Sequence, residues 1–174
     1  MEIIIEKAKK EQSFDILTVN KAAWYQAYKG IIDDQEMNEH FQERFSEDGI
    51  KRFENYVEKC KNFYVAIDRE TAKIVGYIDF GMCKWDENYK EFGEVYAVYV
   101  FPELQRLGIG KKLLDFALNY FKEKEVNKVL LTTFQKNFIG LSFYKKNNFY
   151  VEKEFPKGTW HDNSVDEILL FKDL

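Results

Sequence analysis

Apolar positions change their spacing repeatedly along the chain, and each change marks an element. Ile3-Ile4-Ile5 with Ala8 reads as a first strand. From Glu11 to Tyr28 the apolar residues Phe14, Leu17, Ala22, Tyr25 and Tyr28 fall near helical spacing, and Lys29-Gly30 ends that helix. Asp33-Asp34 before Gln35-Glu36-Met37 is an N-cap signal for a second helical stretch through about Phe45. Ser46, with Glu47 and Asp48 in the first turn, opens a third toward Cys60. Asn62 to Asp68 and Lys73 to Cys83 are rich in Val, Ile, Tyr and Phe around the turn Asp68-Arg69-Glu70-Thr71, which predicts an antiparallel hairpin.

After a polar loop from Trp85 to Lys90, the run Glu94-Val95-Tyr96-Ala97-Val98-Tyr99-Val100 is the longest unbroken β-type stretch, as expected of a central strand; it stops at Pro102. Ile109, Leu113, Leu114, Phe116, Ala117, Leu118 and Phe121 then predict an amphipathic helix to Lys122. A strand over Val129 to Phe134, a helix from about Phe138 to Lys146, and strands near Tyr150 to Phe155 and Ser164 to Phe171 complete the pattern. Strands alternating with helices imply an α/β fold with a mixed sheet and helices on its faces.

The 174 residues suit one domain, 1–174, that buries roughly two thirds of its unfolded surface. With 45% hydrophobic residues, 16 Phe and 11 Tyr, the chain is too apolar to be disordered. A net charge of -4 gives no long-range attraction to nucleic acid or an anionic membrane and favours a small cationic partner. The opening residues lack a signal peptide's basic and long apolar regions, and no stretch approaches a membrane span, so a cytoplasmic location is expected. Cys60 and Cys83 form no CxxC pair, and His40 and His161 are isolated, so no metal is implied.

The chemistry concentrates where the central strand meets the fourth helix. Gln105-Arg106-Leu107-Gly108-Ile109-Gly110-Lys111-Lys112 is a glycine-bearing loop opening a helix, whose free N–H groups and dipole suit a phosphate or pyrophosphate. Arg106, Lys111 and Lys112 oppose the helix dipole by about 0.3–1 kcal/mol each unless an anion compensates; alone, they are equally a solvated basic turn. A dinucleotide fingerprint fails because Leu113 stands at the third glycine, and a P-loop fails because Lys112 replaces the hydroxyl residue.

The spacing that fits is Gln/Arg-x-x-Gly-x-Gly/Ala. With the preceding Tyr99-Val100-Phe101-Pro102 it resembles the coenzyme-A loop of the GCN5-related N-acetyltransferase superfamily, and the element order extends the resemblance to nearly the whole chain. A second block, Asn137 to Phe149, resembles the family motif Asn-x-x-Ala-x-x-Phe-Tyr-x-Lys-x-Gly-Phe, with Gly140 in place of Ala and Asn148 in place of Gly. The resemblance implies a mixed, mostly antiparallel central sheet of about six to seven strands. It also implies acetyl-CoA as co-substrate and transfer of its acetyl group to a primary amine.

By that resemblance, Val98, Tyr99 and Val100 pair with the pantetheine arm where their strand splays from its neighbour. The loop amides of Gln105, Arg106, Leu107, Gly108, Ile109, Gly110 and Lys111 wrap the pyrophosphate, and Asn137 hydrogen-bonds the arm. Tyr144 lies beside the sulfur as general acid, and Glu94, expected to share a strand face with Tyr96 and Val98, is the preferred base. Trp24-Tyr25-Gln26-Ala27-Tyr28-Lys29-Gly30-Ile31-Ile32-Asp33 and the ending Gly158 to Leu170, with Trp160, His161, Asp162 and Asp166, resemble a bacterial subgroup containing PaiA-type polyamine acetyltransferases. That makes Trp24, Tyr28, Glu94 and Tyr96 candidate acceptor contacts and spermidine or spermine candidate acceptors. Core packing explains the rings equally well. Acetylation of protein or peptide amines, or a coenzyme-A-binding regulatory module without turnover, stand as alternatives, as do a monomer and a homodimer.

Overall fold

The computed structural model describes residues 1–155 and 165–174, the side chain of Phe155 excepted. The predicted elements form with small shifts at their ends. Strand β1 is Ile3–Lys7, and a 3-10 turn at Lys10–Gln12 leads into helix α1, Ser13–Ala27. Helix α2 is Asp34–Arg44, opened by Asp33, whose carboxylate accepts from the amides of Gln35 and Glu36. Helix α3 is Glu47–Lys59, opened by Ser46, whose hydroxyl accepts from the Gly49 amide. The hairpin is β2, Phe63–Asp68, and β3, Lys73–Met82. Then come β4, Gly93–Val100; α4, Ile109–Glu123; β5, Lys128–Phe134; α5, Phe138–Lys146; β6, Tyr150–Phe155; and β7, Glu167–Asp173. The last strand starts later than its apolar run suggests; Ser164 lies outside the described residues.

Among the described residues the seven strands make one sheet in the order β1-β2-β3-β4-β5-β7-β6. Neighbours are antiparallel except β4 and β5, which are parallel and paired only at Gly93↔Val129 and Glu94↔Leu130. Beyond Glu94 the two strands part, so the edge of β4 that carries Val98, Tyr99 and Val100 faces a gap.

A bulge decides which side chains meet. Asp79 pairs with Ala97 and Phe80 with Val95, so Tyr96 is an extra residue in β4. After it the alternation reverses. Val95 and Val98 lie opposite Phe80 and Ile78, on the face that α4 covers with Leu113, Leu114 and Phe121. Glu94, Ala97 and Tyr99 lie opposite Gly81, Asp79 and Tyr77, on the face that α1 and α3 cover. Glu94 therefore does not share a face with Val98 as simple alternation predicts. Burying each large side chain under α4 stabilises the domain by about 1.5–3 kcal/mol, so this half of the sheet is the rigid support of the loop above it.

Candidate active site

Two features flank β4. On the β5 side, the gap opens beside the start of α4. Gly108 is the N-cap of that helix at φ 84°, a left-handed conformation that needs glycine, and Arg106 is also left-handed at φ 63°. Such turns line anion-binding concavities. The first helical acceptor bond is Lys112 to Gly108, so the amides of Gly108 to Lys111 have no partner within the helix. Gly110 lies against the Phe143 ring of α5, which a Cβ there would meet at 3.4 Å, an ordinary contact. Lys111 is ion-paired with Asp115 at 2.6 Å, which offsets its conflict with the dipole; Arg106 and Lys112 form no ion pair among the described residues. Leu107 is exposed. These groups fit the diphosphate and pantetheine of coenzyme A.

Asn137 is buried and caps α5. Its Oδ1 accepts from the Gly140 amide at 3.0 Å, and its Nδ2 donates to Thr133 Oγ1 at 3.0 Å. A Cβ at Gly140 would sit 2.5 Å from Asn137 Nδ2, so the glycine that departs from the family motif makes room for this cap. Asn148, the other departure, adopts the left-handed conformation at φ 63°. Tyr144, on α5, packs against Phe143 and Phe149. Burial, with the nearby Tyr99, raises its phenol well above the ordinary value, so it stays protonated.

On the opposite side of β4 lies a cleft of about 430 Å³ between α1, α2, α3 and the bulge. Its walls are aromatic, with Trp24, Phe53, Tyr56, Phe63, Tyr77, Tyr96 and Tyr99, and it contains Asn20, Asp79 and Arg44. Asp79 is buried; the Tyr56 hydroxyl donates to its Oδ2 and the Cys60 thiol to its Oδ1 at 3.3 Å. Desolvation outweighs those bonds and raises its carboxyl. Glu94 is also buried, with Trp85 Nε1 donating to its Oε1 at 3.0 Å and the Cys83 thiol beside it, and desolvation raises it as well. The cleft is lined by Asp79 and not by Glu94.

The other sequence candidates divide. Trp24 and Tyr96 line the cleft, Trp24 stacked on His40 at 5.0 Å and Tyr96 donating to the Met82 carbonyl at 2.6 Å. Tyr28 is a buried neighbour of Tyr99, hydroxyl to hydroxyl at 2.9 Å, among Ile32, Met37, Phe41 and Phe134, and does not line the cleft. Gly158, Trp160, His161 and Asp162 lie outside the described residues. Sequence reasoning missed Asn20, Arg44, Tyr56, Tyr77 and Asp79. The signal available was Asp79, the acidic residue inside an otherwise apolar and aromatic strand run, Ile74 to Phe80.

Comparison with known proteins fits this arrangement. The model of the acetyltransferase (GNAT) family matches residues 4–149. A spermidine N(1)-acetyltransferase of Thermoplasma acidophilum is 27% identical, covering 87% of this chain and 91% of its own. An uncharacterized N-acetyltransferase of Bacillus subtilis, YuaI, is 26% identical, covering 97% and 98%. Among solved structures, the PaiA N-acetyltransferase of Thermoplasma acidophilum in complex with coenzyme A superposes with a TM-score of 0.80 at 23% identity over 100% of both chains.

Proposed function

The chain belongs to the acetyltransferase (GNAT) family and uses acetyl-CoA, and from that premise we propose that it acetylates a small primary amine held in the aromatic cleft. The observation that carries this reading is the single strand between two sites. The gap at the parting of β4 and β5, beside the free amides of α4, lies along one edge of β4, and the cleft lies against its bulge. A thioester lying along the gap and an amine in the cleft would meet at the bulge, within the reach that direct attack requires.

The roles follow from the chemistry. The amine nitrogen forms the new N–C bond and the C–S bond breaks; a proton leaves nitrogen, and sulfur gains one. A free alkylamine has a pKa of about 10, so a base must accept its proton before attack. Asp79 and Glu94, neighbours on the bulge face with carboxyls raised by burial, serve that end; Asp79 faces the cleft directly. Tyr144 acts toward the leaving sulfur. Because its phenol is raised above a thiol's value of about 8.5, it supports the developing thiolate chiefly as a hydrogen-bond donor. Val98 to Val100, the loop from Gln105 to Lys111 and Asn137 hold the cofactor. Spermidine is the first acceptor to test, because the Thermoplasma relative carries that activity in its name, and the aromatic faces beside Asp79 suit a cationic amine.

The test is thiol release from acetyl-CoA with a panel of amines, comparing native protein with Tyr144→Phe and Glu94→Gln. Tyr144→Phe should lower kcat by about 10- to 100-fold with little change in cofactor affinity. Glu94→Gln should lower the rate at neutral pH and less at high pH. Coenzyme-A binding without turnover on any amine would favour the regulatory reading, and activity confined to peptides would move the acceptor class.

A further inference from the structure

We infer that the acceptor carries a carboxylate as well as its amine, and that Arg44 receives that carboxylate. This rests on reading the cleft as the acceptor site. Arg44 is the last residue of α2, and its guanidinium carbon lies 5.3 Å over the Phe53 ring in the cleft wall. Its Nε is fully buried with no hydrogen-bond partner, and Arg44 enters no ion pair among the described residues. The other arginine of the cleft, Arg52, is engaged by Glu43. Arg44 as a whole is half-buried, but its Nε is shut off from water with no acceptor, which is costly, and what relieves it best is a planar carboxylate that accepts from two of the guanidinium N–H groups at once.

The cleft is also polarised. Burial raises the hydroxyls of Tyr77 and Tyr99, and the positive charge of Arg44 opposes that rise in both. Asp79 acts in the opposite sense on Tyr77 and on Tyr96, and Tyr96 feels Glu94 as well. Tyr77 therefore sits between a cationic end at α2 and an anionic end at the β4 bulge. Among the described residues, neither Asp79 nor Glu94 is ion-paired with a cation, and Arg44 does not reach Asp79. An aminocarboxylate completes both ends: its carboxylate on Arg44 and its ammonium beside Asp79, next to the strand edge where acetyl transfer is expected. A polyamine would place its second positive charge toward Arg44. A phosphate's extra charge would call for a second free cation, which Arg52 does not supply.

The experiment measures thiol release from acetyl-CoA with straight-chain aminocarboxylates from glycine to 6-aminohexanoate, each paired with the alkylamine of the same length, and with spermidine. Native protein is compared with Arg44→Gln and Arg44→Lys, whose folding is checked by circular dichroism. The expected result is a KM for the best-fitting aminocarboxylate about 10- to 100-fold below that of its matched amine. Arg44→Gln abolishes that preference and improves kcat/KM for spermidine, while Arg44→Lys keeps part of the preference. Matched KM values within about two-fold in native protein, or an Arg44→Gln variant that slows every acceptor alike, overturn the inference and leave the acetyltransferase reading intact. Absence of turnover on every amine overturns both.

Discussion

Asp79 combines the properties of a working acid–base residue in one side chain: burial, two hydrogen-bond donors and an open face on the cleft. Its carboxyl is raised from the ordinary 3.8 by desolvation, so the native state holds its proton to higher pH than the unfolded chain does. The sign for stability follows. Below 3.8 the group costs nothing; as pH rises from there through the raised native value, the unfolded state ionises first and stability is lost. Asp79→Asn removes this dependence while keeping an acceptor for Tyr56. Chemical denaturation of native and variant protein across that range should show the variant gaining stability relative to native as pH rises; parallel curves would mean that Asp79 ionises freely. Tyr144 was legible in the sequence because a motif carries it; Asp79 offered only a weaker sign, an acid inside an apolar run, and what it faces is decided when the sheet is assembled.

At the scale of elements, the join between β4 and β5 does the most to create the site. It consists of two residue pairs, and the first of them uses Gly93. A Cβ there would lie 2.7 Å from the Phe121 ring of α4, so the strand can start against α4 only as glycine. Gly93→Ala should destabilise the protein by about 1–3 kcal/mol through this overpacking, read as a lower urea midpoint with an unchanged slope. An unchanged midpoint would show that Phe121 moves aside freely. The bulge at Tyr96 belongs to the same scale. The strand itself was legible from its β-branched and aromatic run, but the extra residue was not, because a bulge is a mismatch between two strands and has no signature in either one alone.

Across the whole molecule, the sheet of the described residues is two antiparallel units, β1 to β4 and β5-β7-β6, held together at that short join and by the helices packed on it. A ligand lying in the gap contacts both units, so it stabilises the native state by mass action, about 2.7 kcal/mol at a hundredfold excess over Kd. Coenzyme A at that level should raise Tm by roughly 5–10 °C for a chain of this size, and pantetheine, which lacks the diphosphate, by less at equal concentration. Equal shifts from both would argue against the α4 amides as the diphosphate seat.

The order of elements and the glycine loop at Gln105 to Gly110 were determined by the sequence alone, because each rests on local spacing: helical or alternating periodicity, a cap, or a turn that only certain residues allow; the cofactor class came through the resemblance of that loop to the family's coenzyme-A motif. The acceptor cleft was decided by the tertiary structure. Arg44 ends one helix, Tyr56 sits in the next and Asp79 lies in a strand, and nothing in their separate neighbourhoods says that they share a wall. Long-range register brings them together, and the bulge that turns Glu94 away from Val98 and puts Tyr96 beside Asp79 is a property of strand pairing.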